Sequence, residues 1–174
     1  MIIVCPLSHV QPLVDRHQVS HVVSLLGPDT PHRSFEGVHG ERHLKLTFHD
    51  IAEAMAGYTE PRAADAERMV GFLQGWQREQ PMLIHCWAGI SRSTAAAFTA
   101  MCLFRPKDDE EQLALELRRA SASATPNRLI VKYADAILGR GGRMVKAVDA
   151  IGRGEDASEG VPFVLELQSH QARA

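Results

Sequence analysis

The 174-residue chain is 45% apolar and 23% charged, enough to bury one sizeable core but too short for two ordinary domains with linkers. A formal net charge of -2 and a pI of about 6.5 leave no broad basic field for a polyanion such as nucleic acid, so any phosphate must be gripped locally. Three cysteines, Cys5, Cys86 and Cys102, with no Cys-x-x-Cys pair, argue against a disulfide framework or a cysteine zinc site and fit a reduced, cytoplasmic setting.

In chain order, Ile2 to Cys5, His21 to Leu26, His43 to Phe48 and Pro81 to His85 read as strands, being apolar runs too compact for helices. Between the last two, Ala66, Met69, Val70, Leu73 and Trp76 recur at helical spacing and predict a one-faced helix over residues 62–79. Arg92 to Leu103 is apolar on nearly every side and stopped by Pro106, the pattern of a buried central helix. Asp108, Asp109, Glu110 and Glu111 open the next helix and Arg118 and Arg119 close it, an order that complements the helix dipole. Thr125 is the expected cap of a further helix, with Pro126 in its first turn, a buried stripe of Leu129, Ile130, Tyr133, Ala134 and Ile137, and Gly139 at its end. Arg143 to Ile151 predicts one more helix, Gly152 to Gly160 a polar connection, and Val161 to Leu167 an edge strand or a loosely packed segment.

Strands alternating with helices imply an α/β fold, a central, mostly parallel sheet of about four to five strands flanked by helices. Residues 1–140 are expected to form the functional domain, and 141–174 a C-terminal helix and tail packed on it or trailing it. The opening Met-Ile-Ile-Val-Cys-Pro carries no basic leader, and no apolar run approaches the ~20 residues of a membrane-spanning helix, so neither secretion nor membrane insertion is expected.

Residues 84–93, Ile-His-Cys-Trp-Ala-Gly-Ile-Ser-Arg-Ser, fall where the fourth strand ends and the buried helix begins. A tight loop of Trp87, Ala88, Gly89, Ile90 and Ser91 feeding a helix N-terminus aims backbone N–H groups into one concavity, a cradle for a dianionic phosphate. Gly89 permits the turn. The same field favours the thiolate of Cys86 over a thiol that ordinarily titrates near about 8.5. Arg92 is placed to curl over the loop and hold two phosphate oxygens in a fork, which lysine cannot reproduce. Ser93 sets a hydroxyl beside the sulfur, where it stabilises the thiolate as it leaves a phosphocysteine.

The run His85-Cys86-Trp87-Ala88-Gly89-Ile90-Ser91-Arg92-Ser93 resembles the signature of the protein tyrosine phosphatase superfamily, a His-Cys pair, five residues, Arg, then Ser or Thr. Its Ala-Gly-Xaa-Ser-Arg-Ser ending is most similar to the compact dual-specificity branch. His21 to Gly27 resembles that family's second strand, and Ala124-Thr125-Pro126-Asn127 the Pro-Asn start of the helix after the catalytic one, so the likeness spans about residues 1–140. The resemblance implies hydrolysis of phosphate monoesters on a phosphorylated protein through a phosphocysteine intermediate, with no cofactor and no metal. Phosphotyrosine is the first expectation, with phosphoserine and phosphothreonine beside it.

The family also supplies an aspartic acid from a loop well before the cysteine to protonate the leaving oxygen and later activate water. Asp50, in His49-Asp50-Ile51 after the third strand, is the best match, with Glu53 and Glu60 in the same loop as alternatives. Asp65 and Glu67 lie inside the predicted helix and read as surface charges. No Trp-Pro-Asp triplet surrounds Asp50, which argues against the large tyrosine-specific branch.

His85 either tunes the cysteine through backbone contacts or is a satisfied core histidine; Trp87 either lines the pocket or, as favoured, packs beneath it. Cys5 and Cys102 read as structural, and His39 with His43 as surface decoration rather than a metal pair. A phosphatase for a phosphoinositide or nucleotide is the runner-up, disfavoured because Trp87, Ala88, Ile90 and Ser91 include no lysine. An arsenate reductase or rhodanese is disfavoured by the placement of Asp50 and the late position of the loop. A non-catalytic phosphate-binding module is disfavoured by the retention of Cys86, Arg92 and Asp50.

Overall fold

The computed structural model describes residues 1–167. Strands β1 (Ile2–Pro6), β2 (His21–Leu26), β3 (His43–Thr47), β4 (Met82–Cys86) and β5 (Phe163–Leu165) form one sheet in the order β3-β2-β4-β1-β5. The first four run parallel, with Ile84 opposite both Val4 and Val23; β5 lies antiparallel on the free edge of β1, Ile3 opposite Val164. The fold is the expected α/β sheet, and the edge-strand reading of Val161 to Leu167 is the one realised.

The two-residue period of the strands sorts their side chains onto two faces. Ile2, Val4, Val23, Leu25, Met82, Ile84 and Cys86 point into the larger core; Ile3, Cys5, Val22 and Leu83 point into a smaller one. Helix α1 (Val10–His17) covers the smaller face with Val10 and Val14, and it ends where Gln18 takes a left-handed φ of 51°. Helices α2 (Ala63–Gly75), α3 (Arg92–Phe104), α4 (Glu110–Ala120), α5 (Arg128–Ile137) and α6 (Arg143–Ile151) build the larger one. Cys86 therefore faces the helix-rich layer, and Cys5 faces away from it.

Every residue of α3 from Arg92 to Cys102 is buried, because the helix lies on β1 and β4 and is covered by α2, α4 and α5. Truncating a side chain such as its Phe98 to alanine costs about 3–5 kcal/mol. Beyond α3, buried Glu110 pairs with Arg140 at 2.9 Å and Arg143 at 3.1 Å, and Asp135 accepts from the backbone N–H of Gly142 and Met144 at the start of α6.

Three expectations are corrected. The helix α1 is absent from the sequence reading. Helix α5 is capped by Asn127, whose Oδ1 accepts from Leu129 N and Ile130 N, not by Thr125. Thr125 stands three residues before the first helical residue, Arg128, and its hydroxyl donates to Ser123 O and accepts from Gly154 N. His43 is not surface decoration: its Nε2 lies 2.7 Å from Ser24 Oγ, which also meets His85. Residues 168–174 of the expected tail lie outside the described residues; residues 143–167 contribute α6 and β5 to the same core and sheet.

Candidate active site

Strand β4 delivers Cys86 to the C-terminal edge of the parallel sheet, and the chain turns through residues 87–91 into α3. Five carbonyls on this turn are tied outward. Cys86 O faces His85 Nδ1 at 3.2 Å, and Trp87 O accepts from Leu7 N at 3.1 Å. Ala88 O accepts from Gly160 N at 2.8 Å, Ile90 O from Thr125 N at 2.9 Å, and Ser91 O from Asn127 N at 3.2 Å. In a trans peptide the N–H points opposite the carbonyl, so the following N–H groups turn inward. One is seen to do so, since Gly89 N donates to Cys86 Sγ at 3.2 Å. Inward N–H groups at a helix N-terminus form an anion nest.

Gly89 has φ of +72°, and a Cβ there would stand 2.6 Å from Pro6 N and 2.8 Å from the carbonyl carbon of Cys5. Only glycine fits that approach to β1. Ser93, on the first turn of α3, puts its hydroxyl 3.2 Å from Cys86 Sγ. Burial raises the thiol of Cys102 to about 12 and pushes Cys5 upward as well, with Cys86 adding to the latter, so those two remain neutral thiols.

Arg92 is only 7% exposed. Its Nη1 donates to Phe48 O at 2.9 Å, while its Nε has no hydrogen-bond partner among the described residues and stands 3.7 Å from Asp50 Oδ2. A buried guanidinium donor left open is costly unless a ligand uses it. Asp50 is held in turn: its Oδ1 accepts from Ser91 Oγ at 2.7 Å and Asn127 Nδ2 at 2.8 Å. The structure thus brings Cys86, Ser93, Arg92 and Asp50 around one loop. Glu53 is exposed and Glu60 half-buried, and among the described residues no hydrogen bond or ion pair links either to Arg92 or the loop.

No protein-family model matches the chain, and no curated protein matches it in sequence. Solved structures do. The Cydia pomonella PTP-2 phosphatase is 21% identical, with a TM-score of 0.60 over 78% of this chain and 84% of its own. The human tyrosine phosphatase-like serine/threonine/tyrosine-interacting protein is 18% identical, with a TM-score of 0.63 over 80% and 91%. PTPMT1 in complex with PI(5)P is 17% identical, with a TM-score of 0.57 over 81% and 94%. This chain has the fold of the compact dual-specificity and tyrosine phosphatases.

Within this phosphatase fold, His85 is fully buried beneath the loop, edge-on to Phe35, and burial depresses it to about 4. Neutral, with Nδ1–H donating to Cys86 O, it accepts from Ser24 Oγ at 2.5 Å; Ser24 in turn accepts from His43 Nε2 at 2.7 Å. It is both a satisfied core histidine and an anchor for the cysteine's carbonyl. Trp87 does not pack beneath the loop: its side chain is 58% exposed and lines a cleft of about 750 Å³ with Leu7, Arg33, Phe35 and Glu159. The Ser91 hydroxyl donates to Asp50 Oδ1 at 2.7 Å, so it is the Ser91 side chain that ties the loop to Asp50. A second cleft, of about 550 Å³, opens on the Asp50 side between Asn127, Arg128 and residues 153–157. Asn127 was missed as a site residue. The signal for it is the Thr125-Pro126-Asn127 sequence, in which an asparagine that caps a helix through Oδ1 keeps its amide N–H for a second partner. Among the described residues no three His, Cys, Asp or Glu side chains gather as metal ligands, and no helix is long and apolar enough to cross a membrane.

Proposed function

We propose that this protein is a cysteine-dependent phosphatase that hydrolyses phosphate monoesters, with phosphotyrosine on proteins as the leading substrate and phosphoserine or phosphothreonine beside it. The observation that carries the reading is the nest around Cys86, with its carbonyls tied outward and the buried Arg92 Nε left open. Cys86 Sγ attacks phosphorus as the ester P–O bond breaks, and Asp50 gives its proton to the departing oxygen. Water then attacks phosphorus, its proton passes to Asp50, and the P–S bond breaks to release inorganic phosphate. The Ser93 hydroxyl, 3.2 Å from the sulfur, donates to the thiolate as it leaves. Arg92 and the loop N–H groups stabilise the equatorial oxygens in both steps.

A protein substrate is favoured over a polyphosphorylated lipid because the loop supplies no lysine, and the two arginines of the Asp50-side cleft are occupied, Arg128 by Asp149 and Arg153 by Asp156. PTPMT1, whose structure holds PI(5)P, makes the lipid reading the natural comparison. The protein works without a metal or cofactor in this scheme, in a reducing cytoplasmic setting. The test is turnover of a simple aryl phosphate by wild type and Cys86→Ser, with vanadate as inhibitor. Wild-type turnover blocked by vanadate and a loss of at least about a thousandfold in Cys86→Ser are expected; undiminished turnover in Cys86→Ser overturns the mechanism. Trapping by Cys86→Ser of phosphopeptides against phosphoinositide vesicles then separates the two substrate classes.

A further inference from the structure

The Ala88–Gly89 peptide group is held from both sides. Its N–H donates to Cys86 Sγ at 3.2 Å, and its carbonyl accepts from Gly160 N at 2.8 Å. Because the two groups of a trans peptide point in opposite directions, a bond that fixes the carbonyl also fixes the N–H. The other backbone donors to the loop come from the end of β1 and the approach to α5, whereas Gly160 comes from the polar connection after α6.

That connection is pinned along its length. Arg118 donates to Ile151 O at 3.0 Å and Gly152 O at 2.8 Å, Gly154 N donates to Thr125 Oγ1 at 3.0 Å, and Glu155 N donates to Ala122 O at 2.9 Å. Ser8 donates to the Glu159 carboxylate, and beyond Gly160 the buried Phe163 and Leu165 fasten β5 to β1. At Gly160 the backbone lies directly on the loop. A Cβ there would meet Gly89 O at 3.1 Å, Ala88 O at 3.3 Å and Ile90 Cγ1 at 3.4 Å.

We propose that residues 152–160 are a strap over the phosphate loop and that Gly160 is a positioning residue. It holds the Ala88–Gly89 peptide in the orientation that donates to Cys86 and to the oxygens of a bound phosphoryl group. The proposal rests on the phosphatase reading of the site and adds to it a requirement on a remote segment. A side chain at 160 lifts the strap, releases Ala88 O and lets the peptide plane rotate, which weakens anion binding before it unfolds anything.

Gly160→Ala and Gly160→Val test it, with equilibrium binding of inorganic vanadate, KM and kcat for an aryl phosphate, and thermal melting measured on each full-length variant. The expected result is graded: vanadate affinity falls several-fold in Gly160→Ala and at least tenfold in Gly160→Val, KM rises in parallel, and the melting temperature of Gly160→Ala stays within a few degrees of wild type. A merely structural role would lower the melting temperature and the active fraction while leaving KM and vanadate affinity of the folded protein unchanged. Vanadate affinity and KM within twofold of wild type in Gly160→Ala overturn the proposal, even if the valine variant fails to fold. Vanadate binding by wild type without turnover defeats the hydrolase reading alone and leaves the comparison of variants decisive for the strap.

Discussion

Asn127 serves two partners through the two ends of one amide. Its Oδ1 caps α5 through Leu129 N and Ile130 N, and its Nδ2 donates to Asp50 Oδ1 at 2.8 Å and to Ile51 O at 3.1 Å. Substitutions separate those roles. Aspartate caps a helix as well as asparagine does, but it has no N–H to give and sets a second carboxylate against Asp50; alanine loses both functions, at about 1 kcal/mol for the cap. Asn127→Asp should melt within a few degrees of wild type yet lose roughly tenfold or more in kcat with an altered pH profile, while Asn127→Ala should lose both activity and stability. Vanadate affinity should change little in either, because the loop amides are untouched. Asp50→Asn gives the reference: under the proposed mechanism, in which Asp50 is the general acid, a loss of about a hundredfold or more is expected. If Asn127→Asp matches wild type in kcat, the amide is only a cap.

The junction of β4, loop and α3 was the most legible element, because each of its constraints is local. Cys86 ends a strand, Gly89 takes a φ that other residues resist, and Arg92 to Cys102 is a continuous apolar run. Gly89→Ala should therefore be a severely damaging single-methyl change at the site: its Cβ would stand 2.6 Å from Pro6 N, so β1 or the loop must shift. Lower melting temperature and at least tenfold weaker vanadate binding are expected; unchanged binding would mean that the turn relaxes elsewhere. What the sequence did not show is what long-range contacts decide. Helix α1 has only Val10 and Val14 buried and begins from a 3-10 turn, so its periodicity is short. The helix after Pro126 starts at Arg128, so Asn127 holds the cap position, while the Thr125 hydroxyl accepts from Gly154 N, 29 residues on. Trp87 shares a cleft with Phe35, and Phe35 rather than Trp87 joins the smaller core, a choice no local pattern marks. The partners of Ser91 and Gly160 lie across the fold and leave no mark on local pattern.

Across the whole molecule, two sets of ionisable groups, buried or half-buried except for the surface Asp149, make stability depend on pH in the same direction. His85 and His43 are pushed down to about 4 by burial, and the unfolded chain accepts protons near 6.5, so their contribution is complete above that value and is lost as the pH falls toward 4. Burial alone would raise Glu110, but Arg143 and Arg140 outweigh it and hold the carboxyl below its usual 4.5, as Arg128 holds Asp149 below 3.8. Their contribution is present above the ordinary carboxylate range and disappears as the pH drops through their lowered folded values. The melting temperature should therefore be flat above about pH 6.5, decline from there to about 4, and fall again below it. His43→Asn should flatten the first decline, because one histidine no longer resists protonation in the folded state. Glu110→Gln should act differently, since it leaves Arg140 buried without its counter-charge and costs about 3–5 kcal/mol already at neutral pH. That loss should be read by denaturant unfolding at pH 7, above the interval in which burial of His43 and His85 makes stability fall. A melting temperature that rises between pH 6.5 and 5, or a His43→Asn variant with the wild-type slope in that interval, would show that the Ser24-linked histidines are not held neutral by the sheet.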